Sequence, residues 1–366
     1  MPFLLAADIG GTHSRFAIFA LQDAPAALPD VEPDADTRMR RGTGGAAPQL
    51  EPDADEPYPV RTREVTGDIT PQLELVREQW LPTARYADFA ELVRDLRLPD
   101  GAPFIPPGTL LASLGIAGPV RDDTCEPPNI AWNIRTGEAA IALGIPTVLL
   151  VNDFVAQGYA CLLAALNTQA RAALDITELY AGKKSAAPLA LVGAGSGCGK
   201  ALVLPEARMV LPSEGGHGEF PFRREEEAFA KLLRDSLGDE IVVEMPVSGE
   251  GLRRLFAFHC GEELPAAEMC SRLNPPHTDA EHKTLAWFAR FYGRACRNFV
   301  LDTLALGGLY VTGGMATRVP VTTHPAFLES FRDNKAMGGL LRDVPVFHIR
   351  SRQAGLWGAA ACGMLR

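Results

Sequence analysis

Residues Leu149-Leu150-Val151-Asn152-Asp153-Phe154 place an amide and a carboxylate directly after an apolar run. Open α/β sheets hold their ligands at the carboxyl ends of such strands. Asp153 there can accept a proton from a hydroxyl nucleophile while Asn152 orients the acceptor. The same two residues would equally suit the cap of a following helix. A second polar group lies in Pro212–Phe220 (PSEGGHGEF), where Glu214 and His217 flank two glycines. A carboxylate and an imidazole on one tight turn suit bidentate hydrogen bonding to vicinal hydroxyls. No cysteine or histidine cluster follows, so zinc has little to bind. Glu244 interrupts the apolar run IVVEMPVSGEG (Ile241–Gly251). An unpaired carboxylate there is costly, so it has a partner or faces a cleft.

Two glycine-tipped segments offer a different chemistry. Leu4–Leu21 (LLAADIGGTHSRFAIFAL) and Ala187–Leu204 (APLALVGAGSGCGKALVL) both read as strand, tip, strand. They align without a gap, Asp8 against Gly193, Gly10 against Gly195 and Arg15 against Lys200. Glycines at the tips (Gly10, Gly11 before Thr12; Gly193, Gly195, Gly197 around Ser196) let backbone N–H groups converge on phosphate oxygens. Each tip alone favours a plain tight turn; the pair reverses that reading and suggests two units built on one plan around a shared cleft. A Walker A loop does not fit, because Ala201 follows Gly199-Lys200 and Ala194 stands where its first glycine belongs. The dinucleotide fingerprint fails as well, because Lys200 closes the run Gly195–Gly199 where its spacing differs. A third pair, Gly313-Gly314 in VTGGMATR, suits packing against a purine or a plain strand-to-helix turn.

The elements that must position these residues follow from periodicity. Helices are expected over Tyr86–Leu98, 225–237, 280–306 and 353–365, and strands over Gly108–Val120 and the flanks of both glycine tips. Pro146–Leu166 begins as a buried strand and continues as a helix, and Gly308–Arg318 is a strand ending in its glycine pair. Strands alternating with helices, with hairpins among them, imply an α/β architecture with mixed sheets. Residues 23–60 repeat EPDAD and are rich in Pro, Asp, Ala and Gly, a composition expected of a mobile excursion. The 366 residues are 47% hydrophobic and 22% charged, ample for two domains. A net charge of −10 argues against nucleic acid or an anionic membrane as partner. No apolar run approaches the ~18 residues of a membrane span. Met1-Pro2-Phe3 shows no basic leader, and the seven cysteines form no C-x-x-C pair. Reduced thiols and a cytoplasmic protein are expected.

Taken in order, DIGGT, GIAGPV, PN-x-x-W (Pro128, Asn129, Trp132), NDF, GAGSGCG, EGGH, E-x-x-x-SG-x-G (Glu244, Ser248, Gly249, Gly251) and TGG resemble the bacterial glucokinase family. The resemblance runs from Leu4 to the end of the sequence apart from 23–60, and lies outside the zinc-motif repressor and kinase group. It implies a two-domain actin/hexokinase-like (ribonuclease H-like) α/β fold, with helices flanking mixed sheets and a central cleft. The domains would be 1–162 plus 352–366, carrying the phosphate-1 loop and catalytic aspartate, and 163–351, carrying the phosphate-2 loop. It further implies phosphorylation of D-glucose to glucose 6-phosphate by ATP with Mg2+, in a cytoplasmic homodimer. Asp153 then falls on the catalytic base, and Asn129, Asn152, Asp153, Glu214, His217 and Glu244 on sugar-binding positions. Asp8, Gly10, Gly11 and Thr12 fall on the first phosphate loop, with Asp8 near Mg2+. Gly193, Gly195, Ser196 and Gly197 fall on the second, and Gly313-Gly314 on the adenosine turn. A kinase of different sugar or phosphoryl donor, and a non-catalytic sugar sensor, remain open. Two residues depart from the family: His13 follows Thr12 where the family reads GGTN, and Lys200 stands where it often has an apolar residue. Lys200 is expected either near nucleotide phosphates or solvated at the hairpin exit.

Overall fold

The computed structural model describes residues 2–22 and 72–365. The excursion expected over 23–60 lies outside the described residues. Leu4 to Ala7 and Phe16 to Phe19 are fully buried. These two apolar runs pair as the antiparallel hairpin Phe3–Ile9 with His13–Gln22, in register Asp8 opposite Arg15. The first sheet runs, in space, Gln72–Pro82, His13–Gln22, Phe3–Ile9, Thr109–Ile116, Thr147–Asn152. Its first two pairings are antiparallel and its last two parallel. The second sheet repeats this plan with Met209–Ser213, Cys198–Leu204, Leu189–Ala194, Gly308–Thr312 and Val346–Ile349, then adds Ile176–Tyr180 as an antiparallel edge. Numbered along the chain with that added edge strand set aside, both have the order 3-2-1-4-5.

The two glycine hairpins share the plan but not the same turn. In the first, Ile9 pairs with Ser14, and the tip is closed by Gly10 N–H donating to His13 O at 3.1 Å. In the second, Ala194 pairs with Cys198, and Gly195 N–H donates to Gly197 O at 2.8 Å. The second tip is therefore one residue shorter, so the gapless alignment slips past the turn. Lys200 consequently stands opposite Val192, not Gly193.

Helices fill three layers around the sheets. Asp153–Leu166 and Ala354–Leu365 lie between the sheets, in one core with Leu4 and Ala6 of the first and Leu191, Ala201 and Val203 of the second. They approach so closely that a Cβ on Gly358 would stand 1.7 Å from Ala156 O. Beyond the first sheet, Leu5, Ala7, Phe16 and Ile18 pack on Phe89, Leu92 and Trp132. Beyond the second, the long helix Asp279–Thr303 meets Pro325–Arg332 and Gly249–Cys260. Among the described residues no helix is long and apolar enough to cross a membrane.

Several elements differ from expectation. The helix expected over Tyr86–Leu98 is only Phe89–Arg94, with Asp88 accepting from Glu91 N–H as its cap. The chain then turns so that Arg97 bridges Pro103, and Leu98 precedes a proline, which disfavours helix. The strand Gln72–Pro82 was not expected; its residues alternate between half-buried and exposed over 73–80, as an edge strand should.

One buried ion pair ties the long helix to the segment after the EGGH turn. Arg294 and Glu226 are 1% and 0% exposed, and the guanidinium donates to both carboxylate oxygens at 2.7 Å and to Pro221 O at 2.8 Å. Removing one partner strands the other charge in the core. Arg294→Met should cost about 3–5 kcal/mol of stability, and adding Glu226→Gln should restore part of it in denaturant melts. Equal stability of Arg294→Met and wild type would contradict this.

Candidate active site

Phe3–Ile9, Thr109–Ile116 and Thr147–Asn152 run parallel and end together, so that Asp8 and Asn152-Asp153 emerge at the same edge of the first sheet. The capping role falls to Asn152. Its Oδ1 accepts from the N–H groups of Phe154 (2.9 Å) and Val155 (3.2 Å), and its Nδ2 donates to Gly118 O (3.0 Å). Asp153 is thereby the first residue of the helix, and its Oδ1 accepts from Phe154 N–H at 3.0 Å. Burial, reinforced by the negative charges of Asp8 and Glu214, pushes the Asp153 carboxyl up to about 7, despite that hydrogen bond. A carboxylate titrating there is poised to accept a proton at neutral pH. Burial also raises the Asp8 carboxyl, opposed by the Arg15 guanidinium 3.1 Å away. Arg15 donates in addition to Arg352 O (2.9 Å) and stacks 4.5 Å above Trp80.

Asn129, Asn152, Asp153, Glu214, His217 and Glu244 all line one cavity of about 370 Å3, a size that suits a small molecule. His217 Nε2 lies 3.9 Å from Glu214 Oε2, and its Nδ1 lies 3.8 Å from Glu244 Oε1. These spacings exceed hydrogen-bond length, so the three groups leave their donors and acceptors for a ligand. Backbone bonds hold them together. Glu244 N–H donates to Gly216 O (3.0 Å), Val243 N–H to Gly218 O (2.8 Å) and His217 N–H to Glu214 O (2.9 Å). Ser248 caps Gly249–Cys260, and Gly249 N–H donates to Gly195 O at 2.8 Å. The E-x-x-x-SG-x-G motif thus ties the polar cluster to the second glycine tip.

A second cavity, about 340 Å3, is lined by Asp8, His13, Arg15, Trp80, Arg318, Arg350 and Arg352, with Thr312, Gly313 and Gly314. Four guanidiniums facing one carboxylate suit an anionic ligand. The two cavities share Gln157 and Gly313. Gly313 has φ +96° and lies so close to Ala194 that a Cβ would stand 2.3 Å from its carbonyl oxygen.

The glycine tips do not all reach this second cavity. Gly195, Ser196 and Gly197 line the first. Gly10, Gly11 and Thr12 line neither, and Gly11 backs onto Asn129, whose carbonyl oxygen is 2.9 Å from its Cβ position. Gly193 lies within its strand, where a Cβ would stand 2.8 Å from both Phe154 and Thr312. Packing accounts for glycine at 193. Lys200 is neither solvated nor in the arginine-lined cavity: it is 5% exposed and donates to Gly215 O at 2.8 Å.

Gln157, Trp80, Arg318, Arg350 and Arg352 escaped sequence reasoning. Gln157 follows Asp153 by one helical turn and so shares its face; Thr312 Oγ1 donates to its Oε1 at 3.2 Å. Trp80 lies on the edge strand, Arg318 ends the helix Gly314–Arg318, and Arg350 and Arg352 share the loop after Val346–Ile349, so no one pattern links all four.

Comparison with known proteins gives three concordant findings. The Glucokinase family model matches residues 64–365. Glucokinase of Nostoc sp. is 33% identical over 283 residues, covering 69% of this chain and 81% of that one. Among solved structures, glucokinase from an Antarctic psychrotroph superposes with a TM-score of 0.70 at 24% identity, covering 99% of each chain. A ROK family glucokinase from Streptomyces griseus, solved in complex with glucose and AMPPNP, superposes with a TM-score of 0.59 at 14% identity and 99% coverage of each. These structural likenesses establish the actin-like sugar kinase fold.

The raised Asp153 carboxyl has a consequence for stability. Between its ordinary value of 3.8 and about 7, the native state holds a proton that the unfolded chain releases. This group's stabilising contribution is complete below the lower value and is lost as pH rises through the upper one. Asp153→Asn should therefore gain in melting temperature relative to wild type between pH 5 and pH 8. A difference that stays constant across that range would contradict the shift.

Proposed function

The chain belongs to the glucokinase family, and from that premise we propose that it transfers the γ-phosphoryl group of ATP to the 6-hydroxyl of D-glucose. The observation that carries this is the abutment of the two cavities. Six candidate hydroxyl-binding residues line one, four arginines line the other, and Gln157 and Gly313 belong to both. An acceptor and an anionic donor bound in them would meet beside Asp153. The Streptomyces griseus neighbour, solved with glucose and AMPPNP, supports that pairing of ligands.

Phosphoryl transfer of this kind is mainly positioning and electrostatic stabilisation. Glu214, His217, Glu244 and Asn129 read sugar hydroxyls, and a sugar of wrong configuration would cover their polar groups while leaving them unpaired. Asn152 has already committed Oδ1 and one N–H to the backbone. One N–H of Asn152 remains to orient the acceptor. Asp153 takes the hydroxyl proton as the bond to phosphorus forms. The arginine-lined cavity neutralises the phosphates, the open space beside Gly195 leaves room for them, and Gly313-Gly314 lies against the adenosine.

A single carboxylate facing a cavity for phosphates fits Mg2+, which is typically held by one or two carboxylates plus substrate oxygens. Asp8 would hold it, and the cation supplies positive charge across the phosphate oxygens. The domain boundaries 1–162 plus 352–366 and 163–351 belong to the proposal, supported by the repeated sheet order. A cytoplasmic homodimer rests on the family resemblance, and sedimentation tests the dimer.

A coupled assay with glucose, mannose and fructose, each with ATP or polyphosphate, tests the assignment; glucose with ATP should give the highest kcat/KM. Asp153→Asn should lower kcat by roughly 10²–10⁴-fold, the usual share of a general base, while calorimetry still detects glucose binding. Wild-type kcat/KM should fall as pH drops below about 7, because protonated Asp153 cannot accept the proton. Near-wild-type turnover in Asp153→Asn would refute the base assignment.

A further inference from the structure

We propose that Lys200 is a positioning residue for the sugar-binding turn Glu214–Gly218, acting through the Gly215 carbonyl and not on the nucleotide. This rests on the sugar reading of the 370 Å3 cavity. Lys200 lies on the strand Cys198–Leu204, opposite Ser213 of the neighbouring strand, and the turn begins immediately after that partner. Its ammonium donates to Gly215 O at 2.8 Å. The same oxygen receives the Gly218 N–H at 3.4 Å, and Ser213 Oγ accepts from Gly215 N–H at 3.1 Å. Both polar groups of Gly215 are thereby held from below.

The stem contributes as well as the charge. A Cβ on Gly215 would stand 3.1 Å from the Lys200 Cδ and 3.4 Å from Nζ. Two residues earlier on the same strand, Cys198 O lies 2.1 Å from the Cβ position of Gly216. Alternate residues of one strand thus form the floor on which Gly215 and Gly216 rest; Gly216 could not carry a side chain without lifting the turn, and at Gly215 the lysine stem would have to give way.

Among the described residues Nζ enters no ion pair, and the Phe299 ring lies 5.5 Å from it. Its charge is spent on a carbonyl oxygen, which strengthens that hydrogen bond in a site shielded from water. Glu214 and His217 flank Gly215-Gly216, so the position of both side chains depends on this contact. Lys200 lines the sugar cavity and not the arginine-lined one.

Lys200→Met keeps the stem and removes the donor. The KM for glucose should rise roughly tenfold or more, as loss of a charge-assisted hydrogen bond allows, while the KM for ATP stays within about twofold. Hydrogen exchange at the amides of 214–218 should accelerate and that at 195–197 should not. If the methionine variant fails to fold, Lys200→Gln, which keeps a neutral donor, should show the same split at smaller size. A rise confined to the KM for ATP would overturn the proposal in favour of a phosphate contact. Unchanged kinetics and exchange would reduce Lys200 to packing. If wild type prefers another hexose, the same split is read with that sugar. If it phosphorylates none, the sugar reading fails and the exchange measurement alone decides the Lys200 contact.

Discussion

The ring of Phe154 fixes the relation between the two sheets. It rests on the second sheet at Gly193 and Gly199, where Cβ atoms would stand 2.8 Å and 2.0 Å from ring carbons. Its own backbone N–H is bound by Asn152 and Asp153. The Asp153 carboxylate is therefore attached, one residue away, to a wedge seated in the opposite half of the molecule. Interiors are packed too densely for that wedge to shift without moving its neighbours. Any side chain at 193 or 199 would push back the helix Asp153–Leu166 and, with it, Asp153 itself. The close contact of Gly358 with Ala156 holds the same helix from its other side.

Charge is distributed so that the acidic chain can still serve an anionic substrate. The net charge of −10 lies over the molecule as a whole, while Arg15, Arg318, Arg350 and Arg352 gather at one cavity. Asp8 and Asp153 emerge at the same sheet edge from strand ends separated by Thr109–Ile116, and their mutual repulsion adds to burial in raising the Asp153 carboxyl. Arg15 opposes the same tendency at Asp8. On the proposed reaction the two carboxylates have different work, Asp8 toward the phosphates and Asp153 toward the hydroxyl.

Much of this could be read from the chain because the responsible signals are local. Apolar runs ending in Gly-Gly or Asn-Asp marked the strand ends, and the fold followed from their alternation with helices. The polar residues of the sugar cavity were legible because each interrupts an apolar or glycine-rich setting. What escaped depends on contacts between distant segments. Gly193 and Gly199 look like phosphate-loop glycines in sequence, yet a ring from another element explains them. The one-residue difference between the hairpin tips is invisible in a gapless alignment, and it sets Lys200 opposite Val192, where its ammonium donates to Gly215 O. The arginines of the second cavity come from a strand (Arg15), a helix end (Arg318) and one loop (Arg350 and Arg352), segments far apart in the chain.

The central claim is that burial and two nearby carboxylates hold Asp153 near neutrality, ready to take a proton from the acceptor hydroxyl. A carboxyl-carbon NMR titration, with the resonance assigned by its disappearance in Asp153→Asn, measures this without substrate. An inflection near pH 7 is the result this structure requires. An inflection at the ordinary aspartate value near 4 would show that the carboxylate is solvated, and the account of Asp153 as a poised base would fall.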